Sequence, residues 1–162
     1  MIVVSKLLKS NKPPLVIEAP ARVLFIDDQK IRLDAIYESG VLKTKATYAN
    51  SALAGIDQIT DHGPWDVIFL DHDLDTHVQE PYPHEITGRD VATILGRMNW
   101  HPQIVIVHSM NSVGSTNIIN VLNDAGIQSI RMPISMLANF EEIHDCDSPP
   151  PDDDWREDWK IN

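Results

Sequence analysis

The feature that most constrains the fold is a regular alternation of short apolar segments with helical patterns from residue 22 onward. The segment PQIVIV at residues 102–107 is nearly all apolar, which is typical of a central strand buried on both faces of a parallel sheet. Five strands are predicted, with the sequences RVLFID, ATYAN, WDVIFLD, PQIVIVHS and IQSIRMPI. The intervening helices have the sequences KIRLDAIYES, SALAGIDQIT, TGRDVATILGRMN and GSTNIINVLNDAG.

This alternation predicts an α/β fold in which a doubly wound parallel sheet has right-handed crossovers. We expect the flavodoxin-like strand order 2-1-3-4-5. In that order, ligands bind outside the carboxyl ends of the strands, where the order reverses between the first and third strands. Ser51 precedes the second helix and is the residue expected to cap it.

Polar residues stand at the carboxyl ends of three strands that are neighbours in this order. Asp27 and Asp28 end the first strand, residues 71–73 (Asp-His-Asp) end the third, and residues 108–111 (His-Ser-Met-Asn) end the fourth. Because these strands are adjacent, their polar ends are expected to converge at one edge of the sheet.

Asp27, Asp28 and Asp71 together put three carboxylates at this edge. Carboxylates that close raise one another's pKa unless a cation neutralises them. Hard oxygen ligands suit Mg²⁺ or Mn²⁺, which keep open positions for water and phosphate oxygens. The alternative is that they are turn and cap residues, for which Asp is also favoured. The placement on adjacent strands at the switch point favours the metal site, with Asp73 as a further candidate ligand.

Two histidines lie among these residues. His72 is a candidate metal ligand or general acid/base, since its ordinary pKa lies near neutrality. If Asp71 points into the site, strand alternation turns His72 to the other face, so a structural role is equally open. His108 follows a run of apolar residues and could protonate a leaving oxygen or orient a phosphate. A histidine with its hydrogen bonds satisfied is the alternative.

The loop at residues 109–116 is polar and opens onto a helix N-terminus, where free N–H groups and the helix dipole favour an anion. Ser109 is a candidate catalytic residue here, and Asn111 and Ser115 are candidate phosphate ligands. Serine and threonine before a helix are also common caps, so this signal is weak by itself. Arg131, near the end of the fifth strand, could neutralise phosphate charge through bidentate contacts.

Charge and composition divide the chain into three parts. Residues 1–20 carry a net charge of +2 and are interpreted as an N-terminal arm or added strand, and residues 21–140, with −6, as the domain. Residues 141–162, with −7, are interpreted as an acidic tail. An acidic body is a poor non-specific binder of nucleic-acid backbone. A nucleic-acid end could still be a substrate if a metal ion bridges the charges.

The chain has no apolar run of the ~20 residues that span a membrane. Its N-terminus is broken by lysines and by Pro13-Pro14, unlike a signal peptide. Cys146 is the single cysteine, which excludes an internal disulfide and suits a reducing compartment. A cytoplasmic protein without a membrane partner is therefore expected. The oligomeric state is not indicated.

Over residues 22–135 the chain resembles a response-regulator receiver domain. Asp27-Asp28 after an apolar strand, Asp71 ending the third strand and Pro133 after the fifth carry this resemblance. In receivers the paired acids and the phospho-acceptor aspartate hold Mg²⁺, and a Ser/Thr on the fourth strand and a lysine before the proline contact the phosphoryl group. Here Met132 precedes the proline, with Arg131 behind it. The missing lysine argues against ordinary phospho-switching.

The chain is more similar to a derived receiver-like family predicted to process cyclic phosphates. The similarity lies in four ordered motifs: FIDDQ at 25–29, LDHDL at 70–74, TGRDVA at 87–92 and HSMNSVG at 108–114. It implies that Asp27, Asp28 and Asp71 bind the metal. The residues that it implies complete the site are His72, Asp73, His108, Ser109 and Asn111.

The leading hypothesis is a metal-dependent phosphoesterase that opens a cyclic phosphate on a nucleotide or an RNA end. Either a water activated by the metal or Asp71 itself would attack phosphorus. A second hypothesis is a non-enzymatic receiver-like signalling or binding module, phosphorylated on Asp71. A Toprim-type nuclease, suggested by Asp71-x-Asp73 after a strand, is weaker, because that family needs a glutamate where this chain has Asp27-Asp28.

Overall fold

The computed structural model describes residues 15–74 and 85–138, together with the backbone of residues 2–4. Its strands are β1 (Ile2–Val4), β2 (Leu15–Ile17), β3 (Val23–Ile26), β4 (Ala46–Ala49), β5 (Val67–Leu70), β6 (Ile104–Val107) and β7 (Ser129–Arg131). Its helices are α1 (Lys30–Glu38), α2 (Ala52–His62), α3 (Gly88–Leu95), α4 (Ser112–Asp124) and α5 (Ile134–Leu137). The acidic tail interpreted at 141–162, and residues 75–84 between β5 and α3, lie outside the described residues.

The main sheet has five parallel strands in the order β4-β3-β5-β6-β7. This confirms the predicted flavodoxin-like order 2-1-3-4-5, because β1 and β2 precede the first strand of that sheet. Ile26 of β3 pairs with Leu70 of β5, and Leu70 pairs with Val107 of β6. The polar residues that follow these three positions therefore begin at the same level on one edge.

Side chains alternate between two apolar cores, one on each face of the sheet. One core packs against α2, α3 and α4 and takes Leu24, Ile26, Ile68, Leu70, Val105 and Val107 from the three central strands. The other packs against α1 and α5 and takes Val23, Phe25, Val67, Phe69, Ile104 and Ile106. This period of two is what a parallel sheet covered on both faces requires.

Strands β1 and β2 form a separate antiparallel pair, in which Val3 is opposite Val16. Leu15 and Ile17 are fully buried in the core on the α1 side. A parallel bridge between Ile17 and Leu42 joins this pair to the segment after α1. Residues before the main sheet thus extend its core.

The helix ends follow local hydrogen bonding. Ser51 Oγ accepts from the Ala54 N–H at 3.2 Å, which confirms the predicted cap of α2. Helix α4 begins at Ser112, two residues before the predicted start, because Asn111 caps it by accepting from the Gly114 N–H at 2.8 Å. Helix α3 ends at Leu95, short of the prediction of residue 99. Helix α5 was not predicted.

No helix in residues 15–74 or 85–138 combines the length and the apolar character that crossing a bilayer would require.

Gly88 allows the start of α3 to approach the backbone of Asp71 closely. A Cβ at this position would lie 2.0 Å from the carbonyl oxygen of Asp71, at the first residue of α3. We expect Gly88→Ala to lower the unfolding free energy by about 3 kcal/mol, the upper end for overpacking, in urea unfolding experiments.

Gly40→Ala is the matched control. Gly40 has φ +77° but open space around its missing Cβ, so only the backbone conformation is penalised, by about 1 kcal/mol. An unfolding midpoint for Gly88→Ala at or above that of Gly40→Ala would contradict the close approach.

Candidate active site

Three carboxylates converge at the carboxyl edge of the sheet, as the sequence predicted. Asp27 and Asp28 follow β3 and Asp71 follows β5, and one oxygen atom from each lies within 4.8 Å of the others. Asp27 and Asp71 are buried and Asp28 is half-buried. The convergence results from the register that pairs Ile26 with Leu70.

Backbone N–H groups fix two of these carboxylates. Asp27 Oδ1 accepts from the Gln29 N–H at 2.7 Å, and Asp71 Oδ1 accepts from the His72 N–H at 2.8 Å. Each contact is local, so the turn that follows each strand orients its own acid. The second oxygen of each side chain stays available for other partners.

Arg32, which was not among the predicted site residues, is such a partner. From the first turn of α1, its Nη1 lies 2.9 Å from Asp71 Oδ2 and 3.3 Å from Asp27 Oδ2. Its side chain is only 12% exposed. Among residues 15–74 and 85–138, no other lysine or arginine forms an ion pair with these acids. The sequence signal was the position of Arg32 at the start of the helix that follows Asp27-Asp28.

His108, which follows β6, contacts the same cluster from the buried interior. Its Nε2 lies 2.8 Å from Asp27 Oδ2, and both side chains are fully buried. The ring stacks on Phe25 with centroids 4.9 Å apart. Because an ionised carboxylate is only an acceptor, the Nε2–H donates to Asp27. This contact orients Asp27 and leaves His108 without exposure to solvent, so the predicted proton transfer to a leaving oxygen gains no support from its position.

Two of the acids have pKa values that move in opposite directions. Burial raises the pKa of Asp27, but the hydrogen bond and charge of His108, together with the Gln29 N–H and Arg32, outweigh it and lower the pKa overall. For Asp28, burial and the neighbouring Asp27 and Asp71 raise the pKa to about 6. Repulsion among the three carboxylates therefore raises mainly the pKa of Asp28.

The cluster fits a divalent cation. Asp28 Oδ1 is buried and has no hydrogen-bond partner among the described residues. Three carboxylates face a single guanidinium, so negative charge remains in excess. Oxygen ligands of this kind are what Mg²⁺ and Mn²⁺ prefer.

His72, Asp73 and Asn111 form a second group beside the cluster. His72 Nδ1 lies 2.7 Å from Asp73 Oδ1, and Asn111 Nδ2 donates to the same oxygen at 3.1 Å. A Cβ at Gly114 would lie 2.3 Å from the His72 ring, so this ring packs on the start of α4. Burial raises the pKa of Asp73, but His72 and Asn111 outweigh it and lower the pKa.

This arrangement differs from two expectations. Strand β5 ends at Leu70, so strand alternation does not decide where His72 points. Asp73 is not part of the group of three acids whose oxygens converge among the described residues. Its Oδ1 contacts His72 and Asn111, and its role as a fourth metal ligand remains a prediction.

The hydroxyl groups of the loop before α4 serve that loop. Ser109 is buried, and its Oγ accepts from the Asn111 N–H at 3.2 Å. Ser115 Oγ donates to the Asn111 carbonyl oxygen at 2.8 Å and is also buried. The Ser115 hydroxyl thus donates to backbone carbonyl oxygens, whereas the Ser109 hydroxyl accepts from a backbone N–H. Their predicted catalytic and phosphate-binding roles remain predictions.

Arg131 lies at the end of β7 opposite Val107, and its side chain is exposed. It forms no ion pair within the described part of the chain. The structure therefore does not bring Arg131 to the acids, because β7 is separated from β5 by β6. Its role as a phosphate ligand also remains a prediction.

Comparison with known proteins agrees with the sheet topology. The receiver domain of a Francisella response regulator is 25% identical, with 72% of this chain and 87% of that chain covered and a TM-score of 0.49. The bacteriophytochrome response regulator AtBRR is 13% identical, with 72% and 86% covered and a TM-score of 0.50. An N-terminal domain from Wolinella succinogenes is 18% identical, with 70% and 81% covered and a TM-score of 0.50. The likenesses to AtBRR and to the Wolinella domain show the fold, and they show only that.

No curated protein matches the chain. The family described as the cyclic-phosphate processing receiver domain matches residues 22–124. That range contains β3 through α4, and with them the three converging acids, both histidines and Arg32. The chain therefore belongs to the cyclic-phosphate processing receiver domain family.

Proposed function

We propose that this protein is a metal-dependent phosphoesterase that opens a cyclic phosphate on a nucleotide or an RNA end. The observation that carries the proposal is the group of three carboxylates within 4.8 Å, one of which has a buried oxygen without a partner. Membership of the cyclic-phosphate processing family supports the substrate class. In this proposal Asp27, Asp28 and Asp71 hold Mg²⁺ or Mn²⁺.

The bound ion supplies charge neutralisation and polarisation of a phosphoryl oxygen. The protein's own side chains position it. Asp27 is oriented by His108 and the Gln29 N–H, and Asp71 by the His72 N–H. Rigid ligands of this kind hold a phosphoryl group in one orientation, which lowers the entropic part of the barrier.

His72 is the acid/base residue in this proposal. Its Nδ1–H donates to Asp73, so in the neutral ring Nε2 carries the lone pair that can accept a proton. The ring is 17% exposed, in contrast to the fully buried His108. Asn111 donates to Asp73 and so fixes the carboxylate that orients His72. A base oriented by a further polar group is the usual arrangement in acid/base sites.

The reaction would be a hydrolysis in which water adds to phosphorus and one P–O ester bond of the ring breaks. His72 Nε2 takes the proton of the attacking water and returns it to the leaving sugar oxygen, giving a phosphomonoester. Asp71 could attack phosphorus instead, with no need for an acid/base residue in that step. We favour water because the His72–Asp73 pair can take the proton that an attacking water must lose.

A non-enzymatic receiver-like module is the second candidate. The three acids have the arrangement that receivers use for Mg²⁺ and for phosphorylation, here on Asp71. The missing lysine before Pro133 weakens it. The His72–Asp73 pair favours the enzyme, because phosphorylation of Asp71 needs no acid/base residue.

We further propose a cytoplasmic protein whose substrate is a small nucleotide or a terminal phosphate rather than a nucleic-acid backbone. The single cysteine suits the reducing cytoplasm. The net charge of −11 opposes association with polyanions in the absence of a bridging cation.

The first test of the enzyme is ring opening of 2′,3′-cyclic phosphate RNA ends and cyclic nucleotides in the presence of Mg²⁺ or Mn²⁺. We expect His72→Gln to lower kcat by about 10²–10⁴-fold, the range for a general acid/base. Asp71→Asn should abolish turnover because it removes a metal ligand. His101→Gln, at an exposed position before β6, is the matched control and should retain wild-type activity.

No turnover of any cyclic phosphate by the wild type, together with labelling of Asp71 by a small phosphodonor, would establish the receiver-like alternative. Equal activity of His72→Gln and His101→Gln would remove His72 from the mechanism while leaving the metal site in place.

The second test uses the pKa of Asp28, which is raised to about 6. Below that pH the carboxyl carries a proton that must leave when a cation binds. Mg²⁺ affinity measured by calorimetry should therefore rise with pH, by about tenfold per unit well below pH 6, and level off above it.

Asp28→Asn removes the titrating group. We expect weaker Mg²⁺ binding at pH 7.5 and loss of the pH step centred near 6. Asp34→Asn, an exposed acid on α1, should keep the step. A wild-type affinity that does not change between pH 5 and pH 8 would exclude Asp28 as a ligand.

A further inference from the structure

Arg32 occupies the oxygen atoms that a metal ion would need. Its guanidinium is 2.9 Å from Asp71 Oδ2, whereas Asp71 Oδ1 is held by the His72 N–H. On Asp27 it lies 3.3 Å from Oδ2 and 3.4 Å from Oδ1, both of which already accept from other donors. In this structure the guanidinium of Arg32 is therefore the cation that pairs with Asp27 and Asp71.

The position of Arg32 on α1 is unfavourable for the helix itself. It lies in the first turn, which contains no acidic residue, and the positive end of a helix dipole repels a cation. Its Nε is buried and has no hydrogen-bond partner among the described residues. Both observations indicate that Arg32 is held by the acids rather than by its own helix.

A divalent ion and this guanidinium cannot share Asp71 Oδ2 without strong repulsion, since both carry positive charge at adjacent positions around one oxygen. Binding of the ion must move Arg32 away from the acids. A side chain that is mostly buried then needs another anion, because an unpaired charge is costly where water is scarce.

We propose that Arg32 exchanges the carboxylates for the substrate's phosphoryl group when the metal ion binds, which couples metal binding to phosphate binding. The inference rests on the proposed metal site. It assigns to Arg32 a phosphoryl contact in a chain that has Met132, and not a lysine, before Pro133. A guanidinium suits this contact because its paired donors match two phosphate oxygens.

The coupling has a defined sign. In the wild type, inorganic phosphate should raise the affinity for Mg²⁺, and Mg²⁺ should raise the affinity for phosphate by the same factor, because linkage is reciprocal. Without Arg32 the competition with the metal disappears together with the phosphate contact. A merely structural arginine would have the opposite effect on metal affinity, because its loss would disorder the ligands.

The experiment is a calorimetric titration of Mn²⁺ and Mg²⁺ with and without saturating inorganic phosphate. We expect Arg32→Gln to bind the metal alone about tenfold more tightly than the wild type. Phosphate should raise the metal affinity of the wild type about fivefold more than that of Arg32→Gln, in which only the metal ion remains to contact the phosphate. Arg32→Lys, which keeps the charge, should retain the weaker metal affinity and part of the phosphate effect.

Lys30→Gln is the matched control, because Lys30 is an exposed cation in the same turn and pairs with Asp34. It should leave both affinities close to those of the wild type. Equal shifts in Lys30→Gln and Arg32→Gln would reduce the effect to general charge and overturn the proposal.

Thermal unfolding shows whether Arg32→Gln is still folded. In metal-free buffer Arg32→Gln should unfold at a lower temperature than the wild type, because Asp27 and Asp71 lose their cation. Added Mg²⁺ should raise its midpoint by more than it raises that of the wild type. A lower midpoint that Mg²⁺ does not restore would make Arg32 structural and overturn the proposal.

The outcomes also separate this inference from the proposed enzyme. Tighter metal binding and lost phosphate coupling in Arg32→Gln, without turnover in the wild type, would support Arg32 and reject the phosphoesterase. Turnover that persists in Arg32→Gln with wild-type phosphate coupling would support the enzyme and reject the role of Arg32. No metal binding in either protein would reject both.

Discussion

The structure of the site depends on placing carboxylates side by side in a buried position. The parallel register of β3 and β5 puts Asp27 and Asp71 at the same level, and both are buried. Like charges in that position repel, so they persist only with compensation. Arg32 and His108 supply it, one from α1 and one from the end of β6. Asp28, which receives less compensation, carries the raised pKa.

His72 and His108 each contact a carboxylate, but the two pairs differ in their exposure to solvent. Each imidazole contacts one carboxylate, His108 at 2.8 Å and His72 at 2.7 Å. The carboxylate on His108 is fully buried, whereas Asp73 is 64% exposed. A buried pair between aromatic rings fixes the geometry of a ligand, and a pair open to solvent can exchange protons. The difference in burial is the basis for giving proton transfer to His72.

Much of the fold was predictable because burial leaves a pattern in the chain. The all-apolar strands predicted a parallel sheet, and the polar residues after them predicted which edge carries the site. Ser51 as a cap was predictable from residue type alone. The start of α4 was not predictable, because the residue types allow the helix to begin after Asn111 or at Gly114. The hydrogen bond from the Gly114 N–H to Asn111 selects the earlier start.

The side chains of the site were predictable in part, for a physical reason. Residues that follow a strand are positioned by the sheet, so Asp27, Asp71 and His108 could be grouped from the strand order. Long side chains that reach the site from a helix leave no such signal. Arg32 lies in a helix where Leu33 and Ile36 are buried and Ile31 is exposed, so residue type alone does not show which side chain bends inward.

Charge balance offers a way to find such residues from sequence. Once three buried acids are predicted at one edge, a cation within reach is required, and α1 begins three residues after Asp27. A cation in the first turn of that helix opposes the helix dipole, so its presence needs another explanation. Lys30 and Arg32 both meet that condition, and burial separates them: Lys30 is 66% exposed and Arg32 12%. The deficit of positive charge therefore narrows the choice to two cations from the sequence, and only burial in the structure identifies Arg32 as the one that reaches the acids.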